Sequence, residues 1–533
     1  MLHKFHILTS ILIITLFSAC GEVNTTSNNG EKKDPSSNVV SVPDTPISAT
    51  ISTTDGNLSI SGVVTYERAN VIHTSNSSRL DFSNLKVETA KQINVKLIDT
   101  SGSIVASVFT NDNGEYIFPN LPENTNYKIR VYAKMFNTSK WDVKVIDNTH
   151  GDSLYAIEGD MVSTGSTSSI RNLTASATNQ GSPPFAILDS VYQAMLKVYS
   201  ADDKVKFPPL KLNWSVNNIE TSTYYDGLDN IFISGDQRGD SDEYDKHIII
   251  HEWGHFFEKK LSRADNIGGS HGNSEYLDIR VAFGEGFGNA LSAIVTDDPI
   301  YYDTMGNRGW HMDIENEEHS HPGWFSEASI QRILYDLYDS DIDGSDTLAL
   351  GFKPIYDVLT GKQKNTQAFT SLFPFIHALK NENSINSTEI DDIVSSENIA
   401  PINDIYGEDR KLIVNGQTLP LYRTLDIGGE INVCTSSTYG GQRFPRNNKL
   451  NHHKYVRFTI SSNNEYTIRV KQSNGRSADP DFILFKTDPF ENILASEEEG
   501  SEKQTIALTK GSYLLDISDA SNITRGCFNV SVN

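Results

Sequence analysis

The stretch His251-Glu252-Trp253-Gly254-His255 constrains this chain more than any other part of it. Residues four apart share one face of an α-helix, so both imidazoles can reach a single metal ion while Glu252 lies beside it. The run therefore has to be helical, and another element has to bring a further donor. Val281 to Val295 reads as that second helix, with Glu285 set between Gly284 and Gly286. Small flanking residues let two helices approach closely. Two ring nitrogens, one carboxylate oxygen and an open position are the donor set of a catalytic zinc site. Zn2+ is thus the expected cofactor, held by His251, His255 and Glu285. Glu252 is the expected general base, taking a proton from a water whose pKa the zinc lowers.

The surrounding pattern supplies a frame. Asp242 to Leu261 is the expected extent of the first helix, with Asp242, Glu243 and Asp245 in its first turn, where the helix dipole favours acids. Ile187, Val191, Met195 and Val198 mark the buried stripe of an earlier helix. Phe325–Tyr338 and Gln367–Leu379 read as two later ones. Leu210–Trp214 and Asn230–Ser234 read as strands, the second expected to edge the cleft and pair with substrate backbone. Trp253 and Phe256 are expected in the core.

Outside this middle the periodicity changes. From Leu58 to Val145, short runs such as Ile93-Asn-Val-Lys-Leu-Ile98 alternate apolar and polar residues, the mark of strands with one buried face. Alternation returns after Pro401, as in Tyr455–Ile460 and Tyr513–Ile517. The stretch Thr110–Leu121 resembles the carboxypeptidase regulatory-like, transthyretin-type β-sandwich. The last segment resembles the jelly-roll-type domain that trails secreted bacterial peptidases.

The N-terminus reads as a secretion signal: Lys4, an apolar run from Ile7 to Phe17, then small residues before Cys20. Leu16-Phe-Ser-Ala-Cys20 resembles a bacterial lipobox, with Phe17 where Leu is usual. That resemblance implies lipidation of Cys20 and attachment at the bacterial outer membrane or cell surface. Gly21 to Thr54, rich in Ser, Thr, Asn and Pro, reads as a disordered tether. With Cys20 lipidated, Cys434 and Cys527 remain as one expected disulfide in an oxidising compartment. The net charge of −24 repels phosphate backbones and excludes nucleic acid as a partner.

His251–His255 together with Gly284-Glu-Gly-Phe-Gly-Asn-Ala290 resembles the gluzincin zinc metallopeptidases of the thermolysin and fungalysin type. The resemblance covers mainly Leu210 to Tyr338. It implies hydrolysis of peptide bonds in protein or peptide substrates, with Glu285 as third ligand. One turn after that Glu the family usually has an Asp bonded to a zinc histidine, and here Asn289 stands there, able to accept but uncharged. The family also uses a Tyr or His to stabilise the oxyanion. Tyr276, Tyr301, Tyr302, His311, His319 and His321 are candidates, and His321 is the one expected to fill that catalytic role, with Tyr302 behind it. Asp339, Asp341 and Asp343 match the start of a Ca2+ loop, with Leu350 where an EF-hand has its bidentate Glu; a solvated acidic turn is the plainer alternative.

The fold class expected is multidomain: an α+β zincin-type metallopeptidase core flanked by two all-β sandwich domains. The segments are a signal peptide (1–19), a tether (20–56), a transthyretin-like β-sandwich (57–146), the metallopeptidase domain (147–400) and a jelly-roll-type β-sandwich (401–533). The activity expected is a lipid-anchored zinc endopeptidase. The competing expectation is a surface binding or adhesion protein that uses the zincin fold as a scaffold.

Overall fold

The strand Leu58–Thr74 organises the first sheet, because its seventeen residues alternate buried and half-buried along most of their length. It pairs antiparallel with Ser77–Thr89 and Glu115–Leu121, and parallel with the short strands Ser169–Ile170 and Leu173–Ala175. In this computed structural model the described residues are 38–44 and 56–533, apart from 75–76, 220–221, 307, 317–318, 342–346, 383–386, 409–419, 441–446, 474–477 and 522. The signal segment, Cys20 and Asp343 lie outside them.

The described chain is β-rich and multi-sheeted, with seven α-helices. A ten-stranded sheet runs from Tyr224–Tyr225 through Asn230–Ile233, Leu210–Trp214, Trp141–Asp147, Ser153–Glu158, Asn126–Asn137 and Ile93–Ile98 to Ile104–Phe109. The boundary expected at residue 146 falls inside Trp141–Asp147, which pairs in parallel with Leu210–Trp214. The β-rich N-terminal segment and the helical middle therefore share one sheet. The tether expected over 20–56 also needs correcting. Asn38–Val42 is a strand on the edge of Ser153–Glu158, and Asp44 next to it pairs with Lys134 and Lys144. Val39, Val40 and Val42 suit an open sheet edge, and a local compositional reading does not see the distant partner.

The helices are α1 (Pro183–Ala201), α2 (Lys246–Leu261), α3 (Ile279–Thr296), α4 (Glu327–Asp336), α5 (Phe352–Val358), α6 (Leu372–Glu382) and α7 (Ser387–Ser396). On α1 the stripe Ile187, Val191, Met195 and Val198 is buried. The start of α2 corrects the expected one: Asp245 is its N-cap residue, and Asp242 and Glu243 precede it, all three buried. Asp245 does not serve the helix end, since its carboxylate accepts from the amide and the hydroxyl of Thr304. Every residue of α3 from Ile279 to Val295 is buried, so it is the central helix. Its start is fixed by Asp278, whose side chain accepts from Arg280 N.

Helices α2, α3 and α4 meet through glycines. A Cβ on Gly254 would lie 3.3 Å from Gly288 Cα, and one on Gly286 would come within 2.5 Å of Ile330 Cβ. Gly286 has no room for a Cβ and Gly254 has little, so these glycines set α3 close against both neighbours. Trp253 and Phe256 on α2 are fully buried in the core.

After residue 420 the chain forms two facing sheets. One orders Tyr422–Thr424, Lys454–Ile460, Gly511–Asp519, Pro480–Thr487 and Phe490–Ser496; the other orders Glu430–Thr435, Gly526–Val532, Asn464–Gln472 and Glu502–Leu508. Phe458, Ile468, Phe482, Leu515 and Phe528 fill the space between them. Cys434 and Cys527 are opposite each other across Glu430–Thr435 and Gly526–Val532 and form a disulfide.

Candidate metal centre

One turn of α2 separates His251 from His255, and their Nε2 atoms converge to 3.1 Å. Glu285 on α3 places Oε2 3.2 Å from each of those nitrogens. The close approach of the two helices makes this possible: a Cβ on Gly288 would lie 2.9 Å from the His251 ring. Glu285 Oε1 is held separately by the Asn266 amide at 2.8 Å, which leaves Oε2 for the centre. Glu252, the residue after His251, turns to the same cleft, and its Oε2 accepts from Tyr225 N at 2.8 Å. Ligand atoms of His251, Glu252 and His255 lie within 4.8 Å of one another. The structure thus brings His251, Glu252, His255 and Glu285 together in a cleft of about 920 Å³.

The surrounding hydrogen bonds orient these groups. The Asn289 amide nitrogen donates to Glu327 Oε1 at 2.9 Å and to Gln331 Oε1 at 2.8 Å. Its oxygen is therefore the atom that faces His251 Nδ1 at 2.7 Å, and it can only accept. His251 accordingly carries its proton on Nδ1 and aims the Nε2 lone pair at the centre. The His255 ring has a longer contact, 3.8 Å from Nδ1 to Glu258 Oε2.

A third imidazole belongs to the cluster. His271, in the loop between α2 and α3, sets Nε2 3.2 Å from Glu285 Oε2 and Nδ1 2.9 Å from Glu327 Oε2. Motif spacing did not single it out. Its one signal is a lone imidazole within the glycine-rich run Gly268-Gly-Ser-His-Gly272 between the two motif helices.

The electrostatics favour positive charge at the centre. Burial works against a charged His255, yet the Glu285 carboxylate and the Glu258 hydrogen bond raise its pKa well above the ordinary range. Burial likewise opposes charge on His271, and Glu327 and Glu285 still push it up to about 9. Burial would raise Glu285, but the His255 charge and the histidine hydrogen bonds hold it well below the usual carboxylate range. A field that attracts protons to ring nitrogens equally attracts a divalent cation to their lone pairs. With Nδ1 of His251 committed to an amide oxygen, its Nε2 lone pair faces His255 Nε2 at 3.1 Å, a contact that a proton on His255 can bridge and that a cation bound by both nitrogens can replace. The donor set thus fits a metal ion of the zinc type.

The remaining expected residues are distributed as follows. His321 does not line the cleft: its ring packs on Tyr276 at 4.5 Å, and Nδ1 is 3.1 Å from the Ser274 carbonyl. The oxyanion role expected of it is not met by this placement. His319 bonds Glu397 at 2.7 Å, and His311 bonds Ser78 at 3.0 Å. Tyr302 is buried edge-on against His247. Of the six candidates only Tyr301 lines the cleft, and burial keeps its hydroxyl protonated by raising its pKa far above the ordinary value. The strand Asn230–Ile233 is not a free edge either, since Tyr224–Tyr225 pairs on its outer side, and it is Ser222–Gly227 that borders the cleft. Asp341 is exposed beside Asp339, whose carboxylate accepts from Asp341 N.

The acids Asp236, Asp240 and Asp242 read in sequence as a loop and helix start, and Asp303 joins two of them at the cleft wall. Asp240, Asp242 and Asp303 bring carboxylate oxygens within 4.8 Å of one another. Burial raises all three; repulsion from Asp236 adds to Asp240, and repulsion from Asp240 adds to Asp242 and to Asp303, which reaches about 7.

The C-terminal β region braces the site. Asp278 N donates to the Asn448 carbonyl and Leu450 N to the Tyr276 carbonyl. The side chains of Asn448 and Lys449 both donate to the carbonyl of Ser270, next to His271. Arg280, at the start of α3, pairs with Asp278 at 2.8 Å and with Asp516 at 2.7 Å, all three buried.

Against this geometry the comparisons with known proteins can be set. Residues 195–390 match the family described as Mycolysin C-terminal domain, a stretch that runs from the last turns of α1 into α7 and is less than half of the chain. No curated protein matches the sequence. Among solved structures, the pre-peptidase C-terminal domain of a collagenase from Bacillus anthracis aligns at 16% identity, covering 21% of this chain and 94% of that one, with a TM-score of 0.17. The periplasmic g-type lysozyme inhibitor PliG from Aeromonas hydrophila aligns at 12% identity over 21% of this chain and 97% of that one, with a TM-score of 0.14. A family 35 carbohydrate binding module from Clostridium thermocellum aligns at 13% identity over 19% and 88%, with a TM-score of 0.12. Scores this low carry no functional argument. The family match relates the helical centre of the chain to a protease-associated family.

Proposed function

We propose that this chain is a zinc-dependent endopeptidase with an α+β zincin-type core, in which His251, His255 and Glu285 hold the metal. The observation that carries the reading is the convergence of those three donors beside Glu252 in one cleft. The match to the mycolysin family over residues 195–390 supports it.

A bound zinc ion would supply Lewis acidity and lower the pKa of a coordinated water towards neutrality. The protein's own groups do the rest. Tyr225 N fixes one oxygen of Glu252, so the carboxylate is oriented to take a proton from the attacking water and hand it to the leaving amine. Tyr301, kept protonated by burial, is the hydroxyl at the cleft wall available to donate to a developing oxyanion. Asn289 fixes the His251 tautomer, and Asn266 keeps Glu285 from rotating away. The rim of the cleft at Tyr224, an exposed residue of an outer strand, is where an extended peptide would meet the protein.

By the lipobox resemblance, the enzyme is attached through Cys20 at the outer membrane or surface of a bacterium and acts on protein or peptide substrates outside the cytoplasm. The test is hydrolysis of casein by zinc-loaded protein beside Glu252→Gln. Loss of a general base lowers the rate by about 10²–10⁴-fold. Equal rates for variant and parent would refute the assignment of Glu252.

A further inference from the structure

We propose that His271 is a fourth protein donor to the metal ion, the one donor of the set built to leave it. The inference rests on the zinc reading above and extends it.

Four of the six edges between these donors have the lengths a tetrahedral zinc site needs. Zinc bound at 2.0–2.1 Å by four donors requires donor atoms about 3.3 Å apart along every edge. Four edges of the set are fixed by the structure: His251 to His255 at 3.1 Å, and Glu285 Oε2 to His251, His255 and His271 at 3.2 Å each. The orientation of the ring points the same way. Glu327 Oε2 accepts from His271 Nδ1, which leaves Nε2, 3.2 Å from Glu285 Oε2, as the ring atom free to bind a cation. Without metal a proton holds that 3.2 Å contact, and a cation bound by both atoms takes the proton's place. This carboxylate–imidazole–centre arrangement is how a ligating histidine is ordinarily oriented.

Glu327 also joins the two supports. Its other oxygen accepts from Asn289, the residue that orients His251. A single carboxylate thus links the orientation of His271 to that of His251.

His271 differs from the other donors in its mounting. His251, His255 and Glu285 sit on packed helices with side chains 8%, 17% and 6% exposed, whereas the His271 side chain is 30% exposed. Its loop has Gly268 and Gly269 in left-handed conformations, and Gly272 follows it. A position for substrate therefore opens when this one imidazole swings out, while the helical donors stay in place.

X-ray absorption spectroscopy of the zinc-loaded, full-length protein counts the imidazoles directly. We expect three imidazoles and one oxygen in the free protein, and two imidazoles once a peptide hydroxamate is added. His271→Ala should show two imidazoles and bind zinc at least about tenfold more weakly in a competition titration. Two imidazoles in the free parent would overturn the fourth donor, and three persisting in the hydroxamate complex would overturn its release. Either result in a protein that still binds zinc and cleaves casein leaves the peptidase reading standing. A parent that takes up no zinc overturns both. The count on the parent decides the matter even if His271→Ala does not fold.

Discussion

The side-chain amide of Asn289 donates to Oε1 of Glu327 at 2.9 Å. This contact accounts for an amide, and not an acid, one turn after Glu285. An Asp at 289 would set a second buried carboxylate against Glu327, without the proton that now joins them. The negative charge that supports the histidines is supplied by Glu327, from α4.

Asn289→Asp should therefore destabilise the protein by about 1–3 kcal/mol and weaken zinc binding, because a buried acceptor loses its donor. Urea denaturation and a zinc competition titration measure the two effects. Parent-like values in both would show that the amide proton is not needed.

Gly288→Ala should be felt at the metal. The added methyl would come within 2.9 Å of Cε1 and Nδ1 of His251, so either the ring or α3 has to shift. Overpacking of this kind costs about 1–3 kcal/mol. A lower midpoint in thermal unfolding together with weaker zinc binding is expected. Gly361→Ala, where no atom lies within 4 Å of the added carbon, is the neutral comparison for crowding.

The C-terminal sheets should be inseparable from the site. Asp516→Leu leaves Arg280 with one carboxylate partner of two and strands part of a buried charge. Breaking a buried pair in this way costs about 3–5 kcal/mol. Intact protein has a matching acid sensitivity. Burial would raise the pKa of Asp516, but Arg280 and His453 hold it well below the usual carboxylate range. A depressed folded-state pKa gives stability that is present above the unfolded value, about 4, and lost as pH falls below it. Urea midpoints measured from pH 6 down to pH 3 should fall in the parent and fall less steeply in Asp516→Leu.

The acids at the cleft wall should act in the opposite direction. Burial and then the neighbouring Asp240 raise Asp303 to about 7. The folded state then binds more protons than the unfolded state between about pH 4 and 7, so this group makes stability decline as pH rises through that window. Asp303→Asn should flatten the decline when thermal midpoints are followed from pH 4 to pH 8. An unchanged slope would remove Asp303 from the account.

Much of the centre could be read in the sequence, for local reasons. His251, Glu252 and His255 need only the period of one helix, and the glycines around Glu285 announce a close helix contact. What could not be read depends on long-range pairing. Asn38–Val42 looked like tether because its partner, Ser153–Glu158, is far along the chain. The acids at 242–245 looked like the first turn of a helix, but they are buried before it and bound to residues such as Thr304. His321 is the residue expected to stabilise the oxyanion, yet it packs on Tyr276 outside the cleft. His271 sits in a loop with no period at all, and only the fold brings it to Glu285.

The central claim is that His251, His255 and Glu285 jointly hold one divalent ion. Zinc content per chain, measured on purified parent and on Glu285→Ala, tests it most directly. We expect one zinc per parent chain and little or none in the variant after equal dialysis. Equal zinc in both proteins, or none in the parent, would contradict it.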